Sequence, residues 1–385
     1  GFYSITLNSG TYEVSVSTIG YSTVKQTITL DQNISQNFTL TESPESLEEI
    51  VIKKGIETID IKTPQMSVNS LTASTIKQIP VVFGEADVIK AITLLPGVSN
   101  GGEGAAGFNV RGGAADQNLI LLDEATIFNS SHLFGLFSVF NPDAIKNLKL
   151  YKGGIPAKYG GRVASVLDIY QKEGNKNKFQ ANGGIGIVAS RMLLEGPLKK
   201  GTGSFLLGGR ATYAHLFLPL FDLNNIAYFY DLNTKISYKL NPKNNLYLSG
   251  YFGRDVFSIS DSFRNTYGNT VVNFRWNHLF SDQLFSNLSL IYSDYYYGLN
   301  LNFVGFEWNS GIQNMNIKYD FKQYINDRYK LEYGFHSTYY RFNPGVISPN
   351  GPNSGINRDE LINKFAFENA IYVDVNQQIT ERLAL

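Results

Sequence analysis

From Gly174 to Leu385 the sequence alternates apolar and polar residues in one segment after another, a period of two that restricts the chain to extended strands. In Lys364–Asn376, Phe365, Phe367, Ile371, Val373 and Val375 share one face, and Ala366, Glu368, Ala370, Tyr372, Asp374 and Asn376 share the other. Asn314–Lys322 sets Met315, Ile317, Tyr319 and Phe321 against Asn314, Asn316, Lys318, Asp320 and Lys322. Lys330–His336 repeats the pattern with Leu331, Tyr333 and Phe335. A half-buried soluble sheet alternates too, so alternation alone does not decide what covers the apolar side. Segment length and connection length do. Several segments reach about ten residues, the length of a tilted membrane strand, against about five or six in globular sheets. Leu198–Gly203, Asn241–Asn245, Ser281–Gln283, Tyr324–Arg328 and Gln378–Arg382 read as short turns, while His215–Ala227, Ser258–Asn269, Val304–Gly311 and Asn343–Asn363 read as long loops. Short turns on one side and long loops on the other belong to a membrane-spanning barrel. Tyr295–Tyr297 and Tyr339-Tyr340 would supply its interfacial girdle, and the pattern predicts about ten strands and the start of another.

Composition narrows the class further. Lys+Arg and Asp+Glu are both 33, so no global field points to nucleic acid. No apolar run approaches the roughly 18 residues of a spanning helix. With 24 Tyr and 26 Phe against 3 Met, the chain leans towards strands. The absence of cysteine removes disulfides, thiol nucleophiles and Cys-ligated zinc. The chain opens mid-pattern at Gly1-Phe2-Tyr3 and stops mid-strand at Ala384-Leu385, which reads as a piece of a longer polypeptide.

Between Ala91 and Ile169 the pattern changes to a small mixed α/β unit of short apolar runs and paired glycines. Leu119–Leu122 reads as a buried strand ending at Asp123. Asn141-Pro142-Asp143 reads as the start of a short helix, with Asn141 as cap. Leu148–Tyr151 is a strand broken at Gly153-Gly154, and Tyr159-Gly160-Gly161 forces a turn before Val163–Ile169. Upstream, Thr72–Gln78 is a short helix stopped before Pro80, and Glu85–Leu95 puts Val88, Ile89, Ile92 and Leu95 on one helical face.

Five elements in order, Val110-Arg111-Gly112, Leu119–Asp123, Pro142–Asn147, Lys152–Gly160 and Val166–Ile169, resemble the plug domain of TonB-dependent outer-membrane receptors. Lys152 and Asp168 stand where many members have Arg and Asn, and the plug ending of the starch-uptake subfamily is absent. The resemblance implies a mainly β fold: a transmembrane antiparallel β-barrel, about half of the roughly 22 strands of such transporters, with an N-terminal α/β plug domain and the end of a small β-sandwich. It divides the chain into 1–41, the C-terminal part of a carboxypeptidase regulatory-like sandwich with strands Phe2–Leu7, Gly10–Ser17, Val24–Leu30 and Ser35–Leu40; 42–56, a linker; 57–173, the plug; and 174–385, the N-terminal half of the barrel.

In the linker, Leu47, Glu48, Glu49, Ile50, Val51 and Ile52 resemble the TonB box, which docks by adding a strand to its partner's sheet. The plain alternative is that Ile50–Ile52 starts the first plug strand. In the plug, the resemblance gives structural roles to Arg111, Gly112, Asp123, Lys152, Gly153, Tyr159 and Gly160, with Arg111 in a charge cluster tying plug to barrel wall. A solvated arginine at a strand end is the alternative. Asn129, His132, Phe134, Phe137 and Phe140 would lie in an outward plug loop, where ligand contact and packing against the wall explain them equally well.

No chemistry for catalysis is visible. The four histidines have no metal-ligand spacing, and no nucleophile elbow surrounds Ser131-His132. The literal GxGxxG at Gly102, Gly104 and Gly107 follows a proline-ended helix rather than a strand, so it is not a dinucleotide site. No cofactor, metal or enzymatic activity is expected. The resemblance instead implies an outer-membrane receptor with its plug and N-terminal domain facing the periplasm. It would import a scarce small substrate (a siderophore-iron complex, corrinoid, oligosaccharide or peptide) with the TonB-ExbB-ExbD complex, amid outer-membrane lipid. A surface lipoprotein is a further partner the family allows. The rivals are a ligand-sensing signal transducer and a structural β-rich surface protein.

Overall fold

The computed structural model describes residues 5–16, 24–40, 67–79, 85–101, 107–216, 225–260, 262–326, 328–351, 354–380 and 383–384. The coupling segment expected at Leu47–Ile52 lies outside them. Chain contacts separate two units, one of them centred on residues 1–63. Its described feature is an antiparallel hairpin, β1 (Gly10–Val16) with β2 (Val24–Leu30). Ser35–Leu40, expected as a strand, belongs to no sheet.

The second unit holds an α/β body and a long antiparallel wall. The body starts with β3 (Val68–Thr72) and α1 (Ala73–Gln78), which Thr72 caps by accepting the Thr75 N–H at 3.3 Å. In α2 (Val88–Thr93), Asp87 is the cap and Val88, Ile89 and Ile92 are buried, the face expected from their spacing. There follow β4 (Val98–Asn100), β5 (Phe108–Val110), β6 (Asn118–Leu122), β7 (Ala125–Thr126), β8 (Ser131–His132), β9 (Phe137–Ser138), β10 (Ile145–Tyr151) and β11 (Ser165–Gln171). The central sheet runs β3-β10-β11-β6-β7, with β11 parallel to β6 and the other pairs antiparallel. Parallel strands are buried on both faces and read as continuous apolar runs, as Leu119–Leu122 does.

Asn141-Pro142-Asp143 forms a turn, not the expected helix. Asn141 does cap it, through its side chain to the Asp143 N–H at 3.0 Å and its carbonyl to the Ala144 N–H at 3.0 Å. Helix cannot propagate because the Ala144 carbonyl is already taken by the Lys172 N–H at 2.8 Å and Ile145 has joined the sheet.

The wall comprises β12 (Gln180–Ile185), β13 (Ala189–Lys199), β14 (Gly203–Thr212), β15 (Asn225–Asn241), β16 (Asn244–Ile259), β17 (Phe263–Ser281), β18 (Leu284–Leu301), β19 (Phe306–Asn326), β20 (Tyr329–Pro349), the short β21 (Asp359–Glu360) beside β20, and β22 (Lys364–Thr380). Every long strand pairs antiparallel with the next in sequence. Two connections expected to be long are tight. β16 and β17 are separated by three residues, and β18 reaches β19 through a single 3₁₀ turn at Asn302–Val304. Polar strand ends, such as Arg264-Asn265 and Glu307, read as loop in the sequence because the ladder continues past the apolar stretch. Long connections remain at 213–224 and 350–363.

Strand parity fixes which side of the wall each residue faces. Asn269 of β17 hydrogen-bonds the backbone of the α/β body, so its odd-numbered neighbours face inward. The registers carry that assignment to the odd residues of β18 and the even residues of β19, β20 and β22. The body's core is shared with this inward face, where Tyr251, Val271 and Ile291 pack against it. The outward face exposes Phe274, Leu290, Met315, Ile317, Phe335, Phe367, Ile371 and Val373. Of the tyrosines expected in a girdle, Tyr296 and Tyr339 face outward, whereas Tyr295, Tyr297 and Tyr340 face inward by the same parity. An aromatic row does occur near the short turns, where Trp276, His278, Phe280 and Phe321 contact one another in sequence.

Candidate functional site

Besides the Lys172–Glu195 pair at 3.1 Å, charged side chains of the described residues fasten the body to the wall at three places. The first is the two-residue turn between β6 and β7. Asp123 and Glu124 have φ of 46° and 72°, a primed-turn conformation that favours Asn-Gly. Non-glycine residues persist there because the surroundings hold them. The Asp123 carboxylate accepts from Lys235 Nζ at 2.9 and 3.0 Å and from the Gln171 N–H at 3.1 Å, and its carbonyl accepts from Asn273. Glu124 accepts from Ser289 at 2.8 Å and Asn287 at 3.1 Å, with Arg275 at 3.4 Å and Lys318 at 3.8 Å.

Burial raises the cost of charging Glu124, but the Lys318 and Arg275 cations and the Ser289 hydroxyl outweigh it and hold the carboxyl below its usual range. The resulting stabilisation is present above the unfolded carboxyl's range and is lost as pH falls through the lower folded value. Glu124→Gln should therefore weaken the turn at neutral pH by about 1–3 kcal/mol and remove part of the acid sensitivity. Unfolding midpoints of wild type and variant at pH 7 and pH 3 would check this, since equal drops in both would refute the assignment.

The second place is the loop from Phe128 to Phe140. His132 is buried, stacked on Phe229 at 4.0 Å between ring centres, and bridges two strands. Its Nδ1 lies 2.6 Å from Asp255 and its Nε2 3.3 Å from Asp231, with the Tyr251 hydroxyl 3.2 Å from Nε2. Arg210 completes the cluster, donating to Asp231 at 2.8 Å and to the Ser138 carbonyl at 2.9 Å. Burial opposes charge on His132, yet the Asp255 and Asp231 carboxylates prevail and hold its imidazolium above the ordinary range. Leu133 and Phe134 both have positive φ, and their N–H groups are held by Asp255 at 2.8 Å and the Tyr267 hydroxyl at 3.0 Å. Asn269 accepts the Phe128 and Asn129 N–H groups at 3.2 Å and donates to the Asn129 carbonyl at 2.8 Å.

The third is a chain of charges in which Arg191 of β13 reaches Glu85 and Asp143, each at 2.8 Å, and Lys77 meets Asp143.

The residues expected from sequence are distributed unevenly over these contacts. Asp123 sits in the charge cluster between body and wall. Arg111 does not. Its guanidinium donates to Ser67 Oγ at 2.9 Å within the body and lies over Gly153, where an added Cβ would come 2.9 Å from Nη1. Lys152 donates to the Pro96 carbonyl at 2.7 Å, and burial together with Arg111 lowers its pKa. Gly112 has φ of 82°, which follows Arg111 at 51°. Tyr159, beside Gly160, donates to Asp168 at 2.6 Å, as does Tyr170, so Asp168 is a buried acceptor whose carboxyl is pushed up by burial.

Of the loop residues expected to meet a ligand, His132, Phe137 and Phe140 are at most 2% exposed; the first two pack on Phe229 of the wall and Phe140 belongs to the apolar core. Asn129 bonds Ser131 and Asn269, and Phe134, at 40% exposure, is the most exposed of the five. The sequence reading missed Glu124, Arg210, Asp231, Lys235, Asp255 and Arg275. Parity was the available signal, because Asp231, Asn233 and Lys235 alternate with Leu232, Thr234 and Ile236 on one strand.

A turn and a loop with non-glycine residues at positive φ are thus held against the β wall by buried charges. Residues 60–166 match the family model of the TonB-dependent receptor plug domain. The chain carries a TonB-dependent receptor plug. No curated protein matches the chain. Among solved structures, the siderophore receptor PirA from Acinetobacter baumannii matches with a TM-score of 0.64 at 16% identity, over 82% of this chain and 55% of that one. The ferric enterobactin receptor PfeA from Pseudomonas aeruginosa, an R480A/Q482A mutant, matches with a TM-score of 0.60 at 16% identity, over 83% and 56%. The copper transporter OprC matches with a TM-score of 0.61 at 10% identity, over 83% and 53%. These likenesses establish the fold: a plug beside a mainly β barrel wall. The chain spans about half the length of those structures.

Proposed function

We propose that this chain is part of a TonB-dependent outer-membrane receptor that takes up a small ligand into the periplasm. The observation that carries the reading is the family-matched plug held by buried charges against a wall whose far side is apolar. Exposed apolar surface on this scale marks a membrane or a partner, and barrel strands meet lipid with alternate residues. In this reading 1–41 is the end of a regulatory-like sandwich, 42–56 the linker, 57–173 the plug and 174–385 barrel. The plug faces the periplasm, and the short turns lie on that side.

The ligand approaches from the opposite side, where Phe134 and Leu136 keep exposed surface. The similar structures are siderophore receptors and a copper transporter, which favours a metal chelate over corrinoids, oligosaccharides or peptides. Leu47–Ile52 pairs with the energy-coupling protein by strand addition, driven by its ExbB-ExbD partners, and a surface lipoprotein assists where the substrate needs one. A plug that only reports occupancy would make the chain a sensor instead.

The test is binding of a peptide covering residues 42–56 to the periplasmic domain of the energy-coupling protein, beside the same peptide with Ile50→Pro. Proline removes a backbone donor and breaks an added strand. Loss of binding by at least tenfold is expected. Binding indifferent to proline, or none at all, would make the segment an ordinary plug strand and leave a structural barrel as the better reading.

A further inference from the structure

Aromatic rings gather on the inward face of the wall, at the strand ends remote from the short turns. Phe134 of the plug loop meets Phe257 of β16 edge to face at 5.2 Å between ring centres and Tyr267 of β17 at 5.9 Å. Phe263, at the start of β17, extends the series from Phe257 at 6.1 Å. Tyr267 stands directly opposite Tyr297 of β18, and Tyr297 meets Trp308 of β19 at 5.7 Å. The rings thus run from the plug loop across four strands, and all but Tyr267 keep exposed surface. Trp308 lies against the backbone of Gly345 on β20, where an added Cβ would overlap the indole nitrogen.

Charge at this level is sorted by strand parity. Arg264 and Glu307 are the sequence neighbours of Phe263 and Trp308, so they face outward. Arg254 faces outward too, stacked on Tyr296 at 4.6 Å. On the inward side Asp255 is committed to His132 and to the Leu133 N–H. The inward rows Tyr267–Tyr297–Ser310 and Asn265–Leu299–Trp308 carry no charge. Asn265 is 2% exposed, and its Oδ1 has no partner among the described residues. The face of an aromatic ring is the negative end of its quadrupole, so it accepts flat apolar groups, attracts cations and repels anions. A buried acceptor such as the Asn265 oxygen adds to the repulsion and calls for a donor.

We propose that the ligand taken up by this receptor is a metal chelate without net negative charge, seated with a flat apolar face against Trp308 and Tyr297 beside the Phe134 loop. The rings supply area and Asn265 meets a ligand donor. An anionic chelate would lose hydration here without gaining a cation from this part of the wall. The inference rests on the uptake reading above and narrows its substrate.

The test is equilibrium dialysis of the full chain in detergent micelles, read against empty micelles, with two radiolabelled iron complexes of one shape. One is tris(benzohydroxamato)iron(III), which is uncharged. The other bears a carboxylate on each phenyl ring and is triply negative. Retention of the uncharged complex by about tenfold or more over the anionic one is expected. Trp308→Ala should lower that retention by about fivefold or more. Trp308→Phe should keep the preference, and Trp308→Arg should turn it towards the anionic complex. Trp276→Phe, on the outward face near the short turns, should change nothing. Equal retention of both complexes, or indifference to Trp308→Ala and Trp308→Arg alike, would overturn the assignment. A wild-type preference for the anionic complex would overturn the charge class and leave chelate uptake standing. Retention of neither complex would overturn this site, whereas the peptide experiment above decides the uptake reading by itself.

Discussion

Asp123→Asn is expected to speed amide exchange across the Asn118–Thr126 hairpin by about a hundredfold or more. Asparagine tolerates the left-handed backbone at this turn, so the substitution removes charge without removing the turn preference. What it leaves behind is Lys235, whose side chain is 4% exposed and whose ammonium is otherwise met by the Gln171 carbonyl at 2.9 Å. Stripping one partner from a buried pair costs about 3–5 kcal/mol, because the remaining charge stays buried. At 1.4 kcal/mol per tenfold, that is about two to three and a half decades in the opening equilibrium. Lys235→Met alone should act in the same direction by stranding the carboxylate. The double variant Asp123→Asn with Lys235→Met should recover most of the loss, since a neutral pair of similar size avoids the desolvation cost. Protection that is unchanged in Asp123→Asn would mean the turn is held by backbone and Glu124 contacts instead.

The Phe128–Phe140 loop should loosen as pH rises, through His132. Its imidazolium faces Asp231 and Asp255, with Arg210 bound to Asp231 and the Tyr251 and Tyr267 hydroxyls completing the surroundings. The folded state holds the proton more tightly than the unfolded chain, whose histidine titrates near 6.5. The stabilisation is thus complete below about pH 6.5 and is lost as pH climbs through the raised folded value. Exchange rates of the Leu133 and Phe134 amides, corrected for intrinsic pH dependence, should rise between pH 6 and pH 9 in the wild type. In His132→Gln they should be uniformly faster and flat across that window. A wild-type profile as flat as the variant's would show that the ring does not change charge across that window.

Much of this arrangement could be read from sequence. The ordered elements around Val110–Gly112, Leu119–Asp123 and Tyr159–Gly160 carried the resemblance to the plug family, whose model matches residues 60–166. The wall's strands were legible from their period of two. The partners of the plug were not, since Asp123 meets Lys235 across 112 positions and Glu124 meets Ser289 across 165. No local pattern encodes such pairings. Arg111 illustrates the limit of borrowed roles, for its contacts run to Ser67 rather than to the wall. The Asn141-Pro142 turn misled because a helix cap satisfies the same N–H groups whether or not a helix follows. His132, Phe137 and Phe140 stayed open between two readings for another reason, since an aromatic loop has the same composition whether it meets a ligand or a wall.

The alternation that places Asp231, Asn233 and Lys235 on the plug side also governs how a gene for such a chain can change. Deleting one codon anywhere between Asn225 and Asn241 would turn every later side chain of β15 to the opposite face. Lys235 and Ser237 would enter the apolar surroundings, and Ile236 would be left among the plug's charges. Loss of two codons preserves the facing but shifts each charge by one row. Length variation among descendants should therefore gather in the connections at 213–224 and 350–363, while the strands diverge by substitution alone.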